Sequence, residues 1–517
     1  MGEQAIVTAA QMRWADQQTI AAGSSADMLM DRAGRAVATA ALDVMADYGR
    51  VVIVAGFGNN GGDGFAAAHY LRRRRLPVTV VTLQPVAKLS DVCRRHAERA
   101  REAGAKIREA NGADGLCELD RWLLRAVLVV DAIFGTGLHR PIEGWLAEAV
   151  ARINHSDRPV LSVDIASGIC ADRGVVMGVA VQADYTLPIA ASKWGHWLLE
   201  GRDYAGELLP FAEIGIAPET IHAAYRAVGG QLPQLQRAVV IGQGCLRAAW
   251  PPRSRMAHKG SYGHVWIFGG SQGLTGAPKL AGLGAYAAGA GLATIACPEA
   301  VWPVVAAGNL DVMTQVDRRE CWQQSLDQID AVVAGPGWGA AQGALLAELL
   351  ATDKPLLLDA DALNTLAADA ALQSQLQGRR APTVLTPHPG EAARLLGQAT
   401  ADVQRDRRQA ALALMDRYHC WVVLKGSETL VVSPAGEMYL NPFGSPRMAV
   451  AGSGDLLAGM IGALLARTGG GASDELGQVV AAAVALHGQA GEAQGWYLAS
   501  QLAGVVAALR QAIEQQS

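Results

Sequence analysis

The sequence predicts an α/β protein of two domains, each built on a parallel sheet covered by helices. Three observations carry that expectation. Short β-branched runs alternate with helical patterns along the chain. Nearly every such run passes directly into a glycine- or acid-bearing loop. The alternation lapses once, between Ile216 and Pro233, in a stretch with two prolines and a Gly-Gly pair. At 517 residues the chain exceeds one ordinary domain, so we expect a first domain over residues 1–217, a connection over 218–230 and a second domain over 231–517.

In the first domain the strands are expected at Val51–Ala55, Val78–Thr82, Val127–Asp131 and Val160–Asp164. In the second they are expected at His264–Phe268, Ala331–Ala334, Pro355–Asp359, Thr383–Thr386 and Trp421–Leu424. The halves do not repeat each other's motifs, which argues against duplication. Open parallel sheets bind ligands at the carboxyl ends of their strands, so two separate sites are expected.

Composition excludes several classes. A net charge of −4 on a nearly balanced chain gives no global field that would recruit nucleic acid or an acidic membrane, and neither is expected as a partner. The basic run Arg72–Arg75 reads as a solvated helix end. Seven cysteines without a CxxC pair argue for a reducing compartment and against a disulfide framework or zinc site. The N-terminus carries Glu3 and lacks an uninterrupted apolar core, and the longest apolar run, Leu456–Ala466, is too short to span a bilayer. A soluble cytoplasmic protein is the expectation.

The most informative stretch is Met448-Ala-Val-Ala-Gly-Ser-Gly-Asp-Leu-Leu-Ala-Gly459. It sets a carboxylate behind a glycine-rich turn at the start of an apolar helix, where backbone N–H groups of Gly452, Ser453 and Gly454 can converge on an anion. Asp455 is then placed to take a proton from a hydroxyl that attacks phosphorus. An ordinary loop-to-helix turn is the alternative.

In the first half, Gly56-Phe-Gly-Asn-Asn-Gly-Gly-Asp-Gly64 contains G-x-G-x-x-G after a strand. A dinucleotide fingerprint also needs an acid at the end of the next strand. That strand ends Thr82-Leu-Gln-Pro85, and the first later acid is Asp91. Two further loops, Asp131–Pro141 and Asp164-Ile-Ala-Ser-Gly168, converge with it. Asn60, Asp131 and Ser167 would offer oxygen ligands to a hard cation, and Asp131 as the lone carboxylate suits a monovalent ion. Asp164 remains for proton transfer. Each of these acids could equally cap a following helix.

Asn59-Asn-Gly-Gly-Asp-Gly64, Asp131-Ala-Ile-Phe-Gly-Thr-Gly137 and Asp164-Ile-Ala-Ser-Gly168 resemble the signatures of the NAD(P)H-hydrate epimerase family, a Rossmann-like domain, over residues 1–217. The resemblance implies hydrate binding by Asn59, Asn60, Gly61, Gly62, Asp63, Gly135, Thr136, Gly137, Leu138, His139, Arg140, Pro141 and Asp164. It also implies potassium held by Asn60, Asp131 and Ser167, with Asp164 catalytic.

The second half carries His258-Lys-Gly-Ser-Tyr-Gly-His-Val265, Gly269–Ala277, Gly335-Pro-Gly337, Asp359-Ala-Asp-Ala-Leu-Asn364, Thr386-Pro-His-Pro-Gly-Glu391, Lys425-Gly-Ser-Glu-Thr429 and the Asp455 turn, with no G-x-x-x-x-G-K-[ST] anywhere. In that order they resemble the ADP- or ATP-dependent NAD(P)H-hydrate dehydratase family, which has a ribokinase-like fold. The whole chain thus resembles the fused bifunctional repair enzymes. That implies an adenine nucleotide, ADP or ATP, at Lys425, Gly426, Ser427, Glu428, Thr429 and Gly454, with magnesium. Ala277, Gly337, His388 and catalytic Asp455 would face the hydrated nicotinamide of NADHX or NADPHX. Asp359 and Asp361 are left between capping the helix near Ala362 and helping to bind magnesium. A homo-oligomer is expected. The rival expectation is a small-molecule kinase fused to a ligand- or protein-binding module.

Overall fold

The computed structural model describes residues 4–228, 232, 234–339, 342–468 and 473–516. The chain divides into two compact units, Ala5–Gly230 and a second made mainly of Gln231–Ser517.

In the first unit the strands are β1 (Gln4–Val7), β2 (Val51–Ala55), β3 (Val78–Thr82), β4 (Lys106–Glu109), β5 (Leu128–Ala132), β6 (Val160–Val163), β7 (Tyr185–Leu187), β8 (Ser192–Lys193) and β9 (Glu207–Leu208). Seven of them form a sheet in the order β4-β3-β2-β5-β6-β7-β9 with every pairing parallel. Strands β2, β3 and β5 are buried on both faces, as their unbroken valine runs require. Apolar clusters cover both faces, one under the helices Ala26–Val44 and Asn59–Arg73 and one under Leu116–Leu123 and Trp145–Asn154. Separately, β1 pairs in parallel with β8, setting Val7 beside Lys193.

The segment 218–230, expected as a connection, opens instead as a helix, Pro218–Ala227. Pro218 starts it at the first helical position, where a missing N–H costs nothing. It buries Ile221, Ala224 and Tyr225, and the Tyr225 hydroxyl donates to the Ile6 carbonyl at 2.5 Å. The apolar face of this helix was hidden in the sequence by its two flanking prolines. Gly229, Gly230, Gln231 and Pro233 lie outside the described residues, as does Glu3.

The second unit contains β10 (Arg237–Val240), β11 (His264–Phe268), β12 (Leu292–Cys297), β13 (Met313–Val316), β14 (Ala331–Ala334), β15 (Leu356–Leu358), β16 (Thr383–Leu385), β17 (Trp421–Leu424), β18 (Leu430–Val432) and β19 (Glu437–Leu440). They run in the order β13-β12-β11-β14-β15-β16-β17-β18-β19-β10. The pairings are parallel from β13 to β17, β17-β18-β19 is an antiparallel meander, and β10 lies parallel to β19. Its core joins the sheet to the helices Gly276–Ala288, Ser453–Thr468 and Ser473–Glu492. Among the described residues no helix is long and apolar enough to cross a membrane. All seven cysteines are free thiols.

Candidate active sites

In the first unit the β2 loop and the β5 loop meet backbone to backbone. A Cβ on Gly56 would stand 1.9 Å from the Ile133 carbonyl oxygen, so only glycine allows the approach. Phe57 and Phe134 then stack edge to face across the two loops, their centroids 6.0 Å apart. Asn60 follows in the first turn of Asn59–Arg73, buried, with its amide next to Gly135 and its Nδ2 without a hydrogen-bond partner among the described residues.

Asp131 does not cap a helix. Fully buried, it accepts from Ile133 N (3.2 Å) and Ser167 Oγ (2.6 Å) on one oxygen and from Ser162 Oγ (2.8 Å) and Ser167 N (2.9 Å) on the other. Burial pushes this carboxyl up from its ordinary range, opposed by the bonds from Ser167, Ser162 and Ile133. Phe134 N donates in turn to Ser167 Oγ at 2.8 Å. One carboxylate thereby ties the β5 loop to the β6 loop. Gly135 to Pro141 form a partly exposed rim beyond it.

Asp164 leaves β6 in the left-handed region, φ 68°. Its carboxylate pairs with the ammonium of Lys193, which is wholly buried and also donates to the Ile189 carbonyl at 2.7 Å. Ile189 N donates to the same carboxylate at 3.1 Å. Lys193 N donates to His196 Nδ1 at 3.1 Å, so the imidazole carries its proton on Nε2 and donates it to the Asp164 carbonyl at 2.7 Å. Burial, with Lys193 nearby, pushes His196 down to about 4 and keeps it neutral. Asp63 faces the same charges: burial, then Asp164 and Asp16, hold its carboxyl well above the usual range.

In the second unit Asp455 sits in the first turn of Ser453–Thr468, after Gly452 in the left-handed region at φ 89°. Gly454 packs against the Lys425 ammonium; a Cβ there would lie 3.4 Å from Nζ. Lys425 donates to Asp359 Oδ1 at 2.6 Å, and Thr386 Oγ1 donates to that oxygen at 2.8 Å. Burial, followed by the charge of Asp359, pushes Asp455 up to about 6, against the pull of Lys425. Asp359 stands at the N-cap of Ala360–Ala368 without capping it, because its carboxylate is spent on Lys425 and Thr386. Asp361, in the first turn of that helix, accepts from Gly339 N at 2.9 Å and ties the helix to the loop after β14.

Ala277 and Gly337 come together, since a Cβ on Gly337 would meet the Ala277 methyl at 3.0 Å. His388 caps Pro389–Leu396, its Nδ1 accepting from Gly390 N at 3.0 Å, and its half-exposed ring reaches Glu391 at 3.2 Å through Nε2. Burial pushes Glu391 up to about 7. The Arg407 guanidinium braces the Lys425–Thr429 loop by donating to the Leu424 and Lys425 carbonyls at 3.2 and 3.3 Å, under Gly426 at φ 138°. Ser427 donates to Glu428 at 2.7 Å, and Thr429 Oγ1 to the Gly426 carbonyl at 2.9 Å.

Sequence reasoning missed Asp16, Lys193, His196 and Arg407. Lys193 alone had a signal: it is the single charged residue between Tyr185 and Leu199.

Two family models match the chain. One, described as YjeF-related protein N-terminus, covers residues 26–195, and the other, described as NAD(P)H-hydrate dehydratase, covers residues 265–507. A bifunctional NAD(P)H-hydrate repair enzyme of Moorella thermoacetica is 37% identical over 86% of this chain and 83% of its own. The chain belongs to the bifunctional NAD(P)H-hydrate repair enzyme family. A member of this family from Coxiella burnetii is 36% identical over 88% of this chain and 89% of its own. A crystal structure of an ADP/ATP-dependent NAD(P)H-hydrate dehydratase from Bacillus subtilis, co-crystallised with ATP and magnesium, is 30% identical over 53% of this chain and 98% of its own, with a TM-score of 0.46.

Proposed function

We propose that the chain repairs hydrated NADH and NADPH, the first unit interconverting the R and S hydrates at C6 and the second dehydrating the S epimer with ADP or ATP. The observation that carries this is the Gly452–Asp455 turn, which sets a carboxyl beside the Lys425–Asp359 pair at a helix N-terminus.

In the substrate the C6 hydroxyl and the ring nitrogen share one carbon, a hemiaminal. Asp455 takes the hydroxyl proton as that oxygen attacks the terminal phosphorus and displaces AMP from ADP, or ADP from ATP, and the N–H groups of the turn with Lys425 receive the phosphate charge. The phosphorylated oxygen then leaves, expelled by the nitrogen lone pair as C5 loses a proton. Only one epimer can point its oxygen at the phosphorus. The other would be stranded without the first unit, where Asp164 carries the proton.

The carboxyls of Asp359, Asp361, Glu391 and Asp455 lie around Lys425, where the nucleotide's phosphates would enter. A donor set so rich in carboxyls fits magnesium, which neutralises phosphate charge and is held by one or two carboxylates. Asp359 pairs with Lys425 and Glu391 with His388, and Asp455 serves as the base, so Asp361 is the carboxyl left that would hold it. In the first unit the buried, unpartnered Asn60 amide fits a cation, because turning the amide presents its oxygen. Asn60, Asp131 and Ser167 would hold potassium there, and its charge would stiffen the loops that Asp131 already joins. Free thiols throughout support a cytoplasmic setting.

The test is to incubate mixed hydrate epimers with ADP or ATP and follow reduced-nicotinamide absorbance, nucleotide product and inorganic phosphate. Full recovery of absorbance with phosphate release supports repair. A stable phosphorylated product without phosphate release would establish the kinase alternative.

A further inference from the structure

The helix Ala9–Ala21 follows directly on β1, whose Val7 lies in register with Lys193. Ala9 packs with Ile165 and Ala166, the two residues after Asp164. Met12, Ala15 and Thr19 form the buried face of the helix, and Asp16, one turn from Met12, lies on it half-buried. The helix therefore presents a carboxyl toward the Asp164–Lys193 pair.

Neither Asp16 nor Asp63 makes a hydrogen bond or ion pair among the described residues, whereas Asp164 is held by both Lys193 and Ile189 N. The charged groups facing Asp16 are Lys193, Asp164 and Asp63, and His196 behind them is neutral. Three carboxyls against one ammonium cannot all ionise, and the one in contact with the ammonium is the one that does.

We propose that Asp16 is the proton-donating catalytic residue of the epimerisation site, opposite Asp164 as base, and that Lys193 is the positioning residue that keeps Asp164 ionised. This rests on the epimerase reading of the first unit. Burial, tempered by Lys193 and reinforced by Asp164, pushes the Asp16 carboxyl up to about 6, where it can release and recover a proton. Burial, with Asp164 and Asp16 nearby, holds the Asp63 carboxyl well above its ordinary range, so it keeps its proton. The step is ring opening at C6. Asp164 takes the hydroxyl proton, the C6–O bond becomes a carbonyl, and the C6–N1 pair goes to the nitrogen, which takes the proton of Asp16. Rotation about C5–C6 presents the other carbonyl face. Reclosure returns both protons to where they began.

The experiment uses the full chain and separated hydrate epimers, with their interconversion followed by chromatography without nucleotide. Asp16→Asn should lower kcat about 100-fold or more with little change in KM and abolish the fall of activity above about pH 6, and Asp16→Glu should restore part of the rate. Lys193→Met should lower kcat with little change in KM, and Lys193→Arg should restore part of the rate, because Asp164 loses the partner that holds its carboxylate in place. Unfolding temperature and dehydration of the S epimer, both kept near wild type in Asp16→Asn, exclude misfolding. Interconversion by Asp16→Asn within about threefold of wild type, while Asp164→Asn is inactive, would overturn the role of Asp16 and leave the epimerase reading standing. A wild-type chain that does not interconvert the epimers overturns both.

Discussion

Gly284 and Gly459 each lie against the backbone of the other's helix. A Cβ on Gly284 would stand 2.1 Å from the Leu456 carbonyl oxygen, and one on Gly459 would stand 1.8 Å from that of Ala281. The helix that begins with Asp455 is thus seated by a direct backbone contact with the helix Gly276–Ala288, which carries Ala277. Gly459→Ala should push the two helices apart, at about 1–3 kcal/mol of stability in the second unit. It should also reduce dehydration, since an ångström of misplacement is costly in catalysis. Thermal unfolding and dehydration kinetics on the S epimer check both, and wild-type values would show that the contact does not seat the site.

Asp455→Asn should lower nucleotide-dependent dehydration ~10²- to 10⁴-fold while epimerisation is untouched. In the unmodified chain the base must be ionised. Its carboxyl is pushed up to about 6, so dehydration should fall as pH drops through about 6 and be flat above it. A pH profile of kcat/KM without that limb would remove Asp455 from the role.

Lys425→Met would leave Asp359 buried with Thr386 as its remaining side-chain partner. Removing one member of a buried pair costs about 3–5 kcal/mol, so the second unit should unfold at lower temperature and nucleotide affinity should collapse. The double variant Lys425→Met with Asp359→Leu should recover stability but not affinity. Calorimetry of nucleotide binding separates the two effects.

How far the sequence exposed these sites depended on locality. Valine runs such as Val51–Ala55 announced the buried strands of the first unit, because a parallel strand covered on both faces must be apolar throughout. Leu292–Cys297, diluted with alanine, and the short Met313–Val316 carried no such run and were missed. The meander after β17 was missed as well, being built from three- and four-residue strands. Loop motifs brought Asn60, Asp131, Ser167, Lys425 and Asp455 to notice because their glycines mark close backbone approach. Asp359 sat where a helix cap belongs, and only the fold shows its carboxylate turned to Lys425 from 66 positions along the chain. Asp16 and Lys193 act through pairings between distant segments, which no local pattern records.

Asp131→Ala should weaken epimerisation and its response to potassium together. The four hydrogen bonds that the carboxylate accepts are lost with the charge, including the two from Ser167 that tie the β5 loop to the β6 loop. Dehydration of the S epimer should be unchanged. Rates of both reactions across a potassium titration test this, and epimerisation indifferent to the ion would reduce Asp131 to a loop anchor.

A chain ended at Ala217 should be less stable than one ended at Val228, because the shorter loses the helix Pro218–Ala227 and its Tyr225 bond to Ile6. Unfolding temperatures of the two fragments decide it. Equal values would mean that the helix is dispensable.

The pairing of β10 with β19 sets Arg237 beside Glu437, two hundred positions later. Closing that pairing therefore waits until the chain has grown past Leu440, and the Asp455 turn emerges only after that strand. A chain arrested before β19 exposes an unpaired edge and lacks the dehydration base. The high contact order slows folding, yet it also means that no partially synthesised chain can begin to consume nucleotide.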